Sequence, residues 1–167
     1  MRESKAKDMA LGGILVALTL VTLYLSLIIP VNTFAILTIS SIFPAIAIMR
    51  SNVKLGIFVY VASSIIGFFI IPFDKILTFI LYFGVYGIVK FFIEKLRNIP
   101  LEIFLKLLFS NIMFFIGLYV LKSFMGNINV DLPLWIVIIG AQVMFLVYDY
   151  ALTLIITFYI TRIHKRI

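Results

Sequence analysis

Six apolar stretches, each ended by proline or charge, leave this chain little choice of fold. They run from about Met9 to Ile29, Thr33 to Met49, Val53 to Ile71, Ile76 to Ile93, Leu101 to Leu121 and Leu134 to Thr161. A helix crossing the hydrocarbon of a bilayer needs about 20 predominantly apolar residues, and every stretch meets or approaches that length. Pro30, Pro72, Pro100 and Pro133 fall in the gaps. Pro44 alone sits inside a stretch, where the lost N–H is expected to kink the second helix. Of the 167 residues, 64% are hydrophobic and 13% charged, against about 45–50% and about 25% in a soluble domain. A soluble fold of this size would expose large apolar patches. The expected fold is all-α: a single membrane domain over residues 1–167, a six-helix bundle whose gaps are too short for a soluble module.

Orientation follows from the fourteen Lys and Arg residues. Arg2, Lys5, Lys7, Arg50, Lys54, Lys90, Lys95, Arg97, Lys106, Arg162, Lys165 and Arg166 fall on one side of the alternating spans. Only Lys75 and Lys122 fall on the other. Positive charge collects on the cytoplasmic side, so both termini are expected in the cytoplasm and the protein in the plasma membrane, crossing it several times. The same rule accounts for the net charge of +7, with no folded aqueous surface to carry a nucleic-acid groove. The first apolar run, at about 20 residues, exceeds the 7–15 of a signal-peptide core and has no small-x-small cleavage site after it. It is expected to be a retained helix.

Enzyme chemistry is mostly excluded by absence. There is no cysteine, and the single histidine, His164, lies in the basic tail, so thiolate metal sites, haem attachment and intramembrane zinc or serine proteolysis have no ligands or base. No phosphate-binding glycine loop, nucleophile elbow or H-E-x-x-H is present. No catalytic activity, cofactor or metal is expected.

One acid, Asp149, lies deep in a span, where an ionisable group persists only if paired, protonated or turned toward protein or water. Trp135, Gln142, Asp149 and Thr153 fall within roughly 40° of one another on the sixth helix, a polar stripe on one face. Counted from the cytoplasmic ends, Asn111 of the fifth span lies at a similar depth. Asp149 is therefore expected to be neutral and to donate to Asn111, either as glue between helices or as a substrate or proton site. Glu102 with Lys106 and Lys90 with Glu94 have the i,i+4 spacing of surface pairs.

The first helix has two unlike faces. Ala10, Gly13 and Ala17 share one side of its N-terminal half, and Thr19, Thr22 and Ser26 point the opposite way. Gly13-x-x-x-Ala17 is the small-x-x-x-small pattern that lets membrane helices approach closely, fit either for packing within the chain or for docking a partner. Tyr82, Tyr119 and Trp135 fall toward the outer side, as an aromatic belt does. With Gln142 they are candidates for an apolar solute pocket carrying an amide and a stacking surface, capped by Asn32.

With six spans, a length under 200 residues, a basic start running into K-D-M-A-L-G-G-I-L-V-A-L and small residues early in helix one, the chain resembles the substrate-specificity subunits, or S components, of energy-coupling-factor transporters. Gly13 and Ala17 match that family's helix-one patch. The resemblance implies a subunit that captures a vitamin-like micronutrient from outside and docks through helix one on a membrane scaffold carrying cytoplasmic ATPases. The chain departs from the family at its first outer loop, only Pro30-Val31-Asn32, which leaves the segment Lys122 to Pro133 as the candidate lid. Two other functions fit the same residues: a membrane scaffold or assembly protein binding no solute, and a stand-alone carrier coupled to protons through Asp149.

Overall fold

The computed structural model describes residues 2–29, 33–125 and 133–162. Its helices are α1 (Arg2–Ile28), α2 (Thr33–Arg50), α3 (Val53–Ile70), α4 (Phe73–Thr78), a π-helical turn (Phe79–Phe83), α5 (Gly84–Glu94), α6 (Ile99–Met125) and α7 (Leu134–Arg162). No strand occurs among the described residues. Because α4, the π turn and α5 form one apolar run, six helices among the described residues are long and apolar enough to cross a membrane, at the positions the sequence predicts. The ends differ by a few residues. Asn52 caps α3, its side-chain oxygen accepting from the Leu55 amide at 2.9 Å, and Pro100 is absorbed into the first turn of α6, where a missing N–H has no helical acceptor to lose.

The chain forms two compact units, residues up to Phe92 and residues from Ile93 on. In the first, α1 packs on α2 and α3, and α2 packs on α3 and the π turn. Glycines set the register. Gly12 faces Leu55 and Phe58, and Gly67 lies beside Leu20 and Ile76, so α1 and α3 run parallel. Gly56 meets the Ile48 side chain and the Pro44 carbonyl, while a Cβ at Gly87 would lie 3.0 Å from the Ser41 carbonyl oxygen and 3.3 Å from Ala45 Cβ. Thus α2 is gripped near Pro44 by α3 on one side and α5 on the other. Pro44 has no N–H, so the Ser40 carbonyl lacks its usual helical donor, and small neighbours let other backbones come close there. Leu15, Leu23, Leu37, Ala47, Val59, Ile76, Phe79 and Tyr86 fill this unit's core. At the far end of α1 the Lys75 ammonium donates to the Ser26 carbonyl at 2.7 Å, a cation placed where the α1 dipole is negative.

In the second unit α6 packs on α7. It begins in the last turn of α5, and Arg97 in the link to α6 adopts the left-handed backbone region at φ 53°.

Candidate functional site

The α6–α7 seam carries a two-rung polar ladder. In the first rung Lys106 Nζ stands 3.0 Å from Asp149 Oδ2 and 3.0 Å from Glu94 Oε1. The Lys106 and Asp149 side chains are 10% and 16% exposed, and that of Glu94 39%, so the Lys106–Asp149 half is the desolvated one. In the second rung Gln142 Nε2 donates to Asn111 Oδ1 at 3.2 Å, and Asn111 Nδ2 donates to the Leu107 carbonyl at 3.0 Å. Thr153 Oγ1 bonds the Asp149 carbonyl on its own helix. The ladder fixes the register of two antiparallel helices and holds matched charge inside an apolar pair.

This pairing corrects the sequence expectation at three points. Asp149 lies against Lys106, where a hydrogen bond to Asn111 was expected. Asn111 instead serves Gln142. Lys106 turns to Glu94 and Asp149, where a surface pair with Glu102 was expected. The physical reason is reach and offset. A lysine about 10 Å along α6 has a four-carbon stem that carries its ammonium well away from its own backbone, and depth counted from helix ends ignores the stagger of the two helices. An intramembrane carboxylate facing a lysine on the adjoining span was the signal available in the sequence.

The first unit buries a second polar group, of hydroxyls. Thr19, Ser26, Ser40, Ser41 and Ser63 are fully buried. Thr19 donates to the Leu15 carbonyl, Ser26 to Leu23, Ser40 to Leu37 and Ser41 to Thr38, all at 2.6–2.7 Å within their own helices. Each oxygen keeps its acceptor capacity toward the interior. Ser63 Oγ has no hydrogen-bond partner, which costs about 1–3 kcal/mol for a buried hydroxyl. On the same face of α3, Tyr60 sends its hydroxyl to the Ile80 carbonyl in the π turn at 2.9 Å. The sequence pattern pointed to the α1 hydroxyls as a face, and not to Ser40, Ser41 or Ser63, since a serine in an apolar span has no mark of its orientation beyond helical phase.

The remaining candidates are placed as follows. Ala10, Gly13 and Ala17 are exposed, and nothing lies within 4 Å of where a Gly13 Cβ would be. The packed glycine of α1 is Gly12. Trp135 and Tyr119 are 63% and 75% exposed, on the outside of their helices. Tyr82 belongs to the first unit, with its ring edge-on to Phe83, and Gln142 is engaged in the ladder. Asn32 and most of the segment from Lys122 to Pro133 lie outside the described residues. Among the described residues no group of acidic, histidine or cysteine side chains is arranged to hold a metal. No known protein family, curated protein or solved structure matches this chain.

Proposed function

We propose that this chain is a membrane transport subunit of the S-component type, which binds a small neutral or weakly polar micronutrient from outside and docks through α1 on an ATP-driven scaffold. The observation that carries this reading is the division of α1. Its Leu15, Thr19, Thr22, Leu23 and Ser26 face is buried in the first unit, while the Ala10, Gly13, Ala17 face is exposed with open space over Gly13. A smooth small-residue surface allows close approach of a partner helix and little else, because packing in lipid depends on van der Waals fit. A doubly charged solute would need a buried counter-ion, and Lys106, Asp149 and Glu94 already balance one another in part; hence the neutral class. The lysine at Asp149 gives that acid a structural partner, which favours the subunit over the proton-coupled carrier.

Gly13→Leu and Ala17→Leu are expected to abolish co-purification with nucleotide-binding proteins while leaving the isolated subunit folded, with no loss of thermal stability. Full retention of the partner in both variants would remove the reading's main support, and co-purification with cell-envelope enzymes would favour the scaffold alternative. Orientation is tested separately. The chain has no cysteine, so single cysteines at Ser51, Asn98 and Ser123 report cleanly. An impermeant thiol reagent on intact cells is expected to label position 123 alone, and labelling at 98 would reverse the topology.

A further inference from the structure

Among the described residues the fourth span is the one helix with a π turn, and two other features converge on it. Across Phe79–Phe83 the helix takes π form, and the Gly84 amide reaches back five residues to the Phe79 carbonyl. A π turn holds one residue more than an α-helix of the same length, and the return to α register passes over one carbonyl. The Ile80 carbonyl is taken from outside the helix by the Tyr60 hydroxyl. Gly84 makes room for that arrangement, since a Cβ there would lie 2.8 Å from the Tyr60 ring. Three residues beyond Tyr60, Ser63 is fully buried on the same α3 face with its hydroxyl unpaired. The α3 face is thus stitched to the π turn by one hydroxyl and holds a second, three residues on, that is unsatisfied.

The extra residue also decides what α5 presents to α2. Lys75 on the Ser26 carbonyl and Ile76 beneath Gly67 anchor the start of the rod. With that end fixed, straightening the turn rotates α5 by about 100° and shifts it about 1.5 Å along its axis. Tyr86 then comes to the place Gly87 holds now, against the Ser41 carbonyl and Ala45. A tyrosine has no room at a site where even a Cβ would stand 3.0 Å from that oxygen, so α5 must withdraw from α2 and uncover Ser40 and Ser41.

We propose that the π turn Phe79–Phe83 is a two-state register latch, held in its π form by the Tyr60 hydroxyl on the Ile80 carbonyl, and that its straightening opens the α2–α5 seam onto the buried hydroxyls. This stands independently of the transport reading and supplies a moving part within the first unit. The test uses nitroxide labels on Lys54→Cys and Phe91→Cys, both exposed positions, and pulsed electron–electron distance measurement in detergent. The parent is expected to give one narrow distance, and Tyr60→Phe a second, shifted population. Deleting Leu81 removes the extra residue and keeps Gly87 in place, so Tyr60→Phe combined with that deletion is expected to return to the single parental distance. An unchanged distribution in Tyr60→Phe, or two populations persisting in the combined variant, overturns the proposal. If Tyr60→Phe alone fails to fold, recovery of folding by the deletion supports the latch and its absence overturns it.

Discussion

Lys106→Met is expected to lower the unfolding free energy by about 3–5 kcal/mol, the typical effect of removing one member of a buried ion pair. The loss comes from what remains. Asp149, 16% exposed, loses the ammonium that stands 3.0 Å from its Oδ2, whereas Glu94, 39% exposed, still reaches solvent and contributes little. The double variant Lys106→Met with Asp149→Leu is therefore expected to recover most of the loss, because well-packed apolar residues commonly replace a buried ion pair at little or no cost. Thermal unfolding in mild detergent, followed by loss of helical circular dichroism, measures both. If the double variant is as unstable as the single, the energy lies elsewhere than in the Lys106–Asp149 pair. Asp149→Asn leaves Lys106 with Glu94 and an amide oxygen, and a smaller loss is expected of it.

A glycine pair gives the second large contrast. Gly56→Ala is expected to destabilise the first unit by about 1–3 kcal/mol, since its new Cβ would overlap the Ile48 side chain and lie 3.0 Å from the Pro44 carbonyl oxygen. Ile48 is itself buried at 5% exposure, and the carbonyl belongs to the α2 backbone at the buried Pro44, so neither neighbour yields cheaply. Gly13→Ala meets open space and is expected to stabilise the isolated chain by about 0.5–1 kcal/mol through helix propensity alone. The same residue change thus has opposite signs at two helical glycines. Comparing the two melting temperatures against the parent tests the register of α2 on α3 directly, and equal shifts would contradict it.

Much of this architecture was legible in one dimension. Apolar runs near 20 residues, interrupted by Pro30, Pro72, Pro100 and Pro133, fixed the number and place of the helices, because burial in hydrocarbon depends on the summed transfer energy of a segment and helices satisfy their own backbone hydrogen bonds. Helical phase likewise separated Thr19, Thr22 and Ser26 from Ala10, Gly13 and Ala17. What phase does not carry is the stagger between helices, and there the tertiary structure decided. It gave Asp149 to Lys106 and Gln142 to Asn111, where equal depth along two helices had suggested Asp149 with Asn111. It made Gly12 the packed glycine of α1 in place of Gly13. It put a π turn into the fourth span, where an apolar sequence reads the same in either register, and so brought Gly87 to α2 and the Tyr60 hydroxyl to Ile80. Each of these depends on distances between segments far apart in the chain, and those are set by side-chain volume and reach at the contact, which the pattern of apolar and polar residues does not encode.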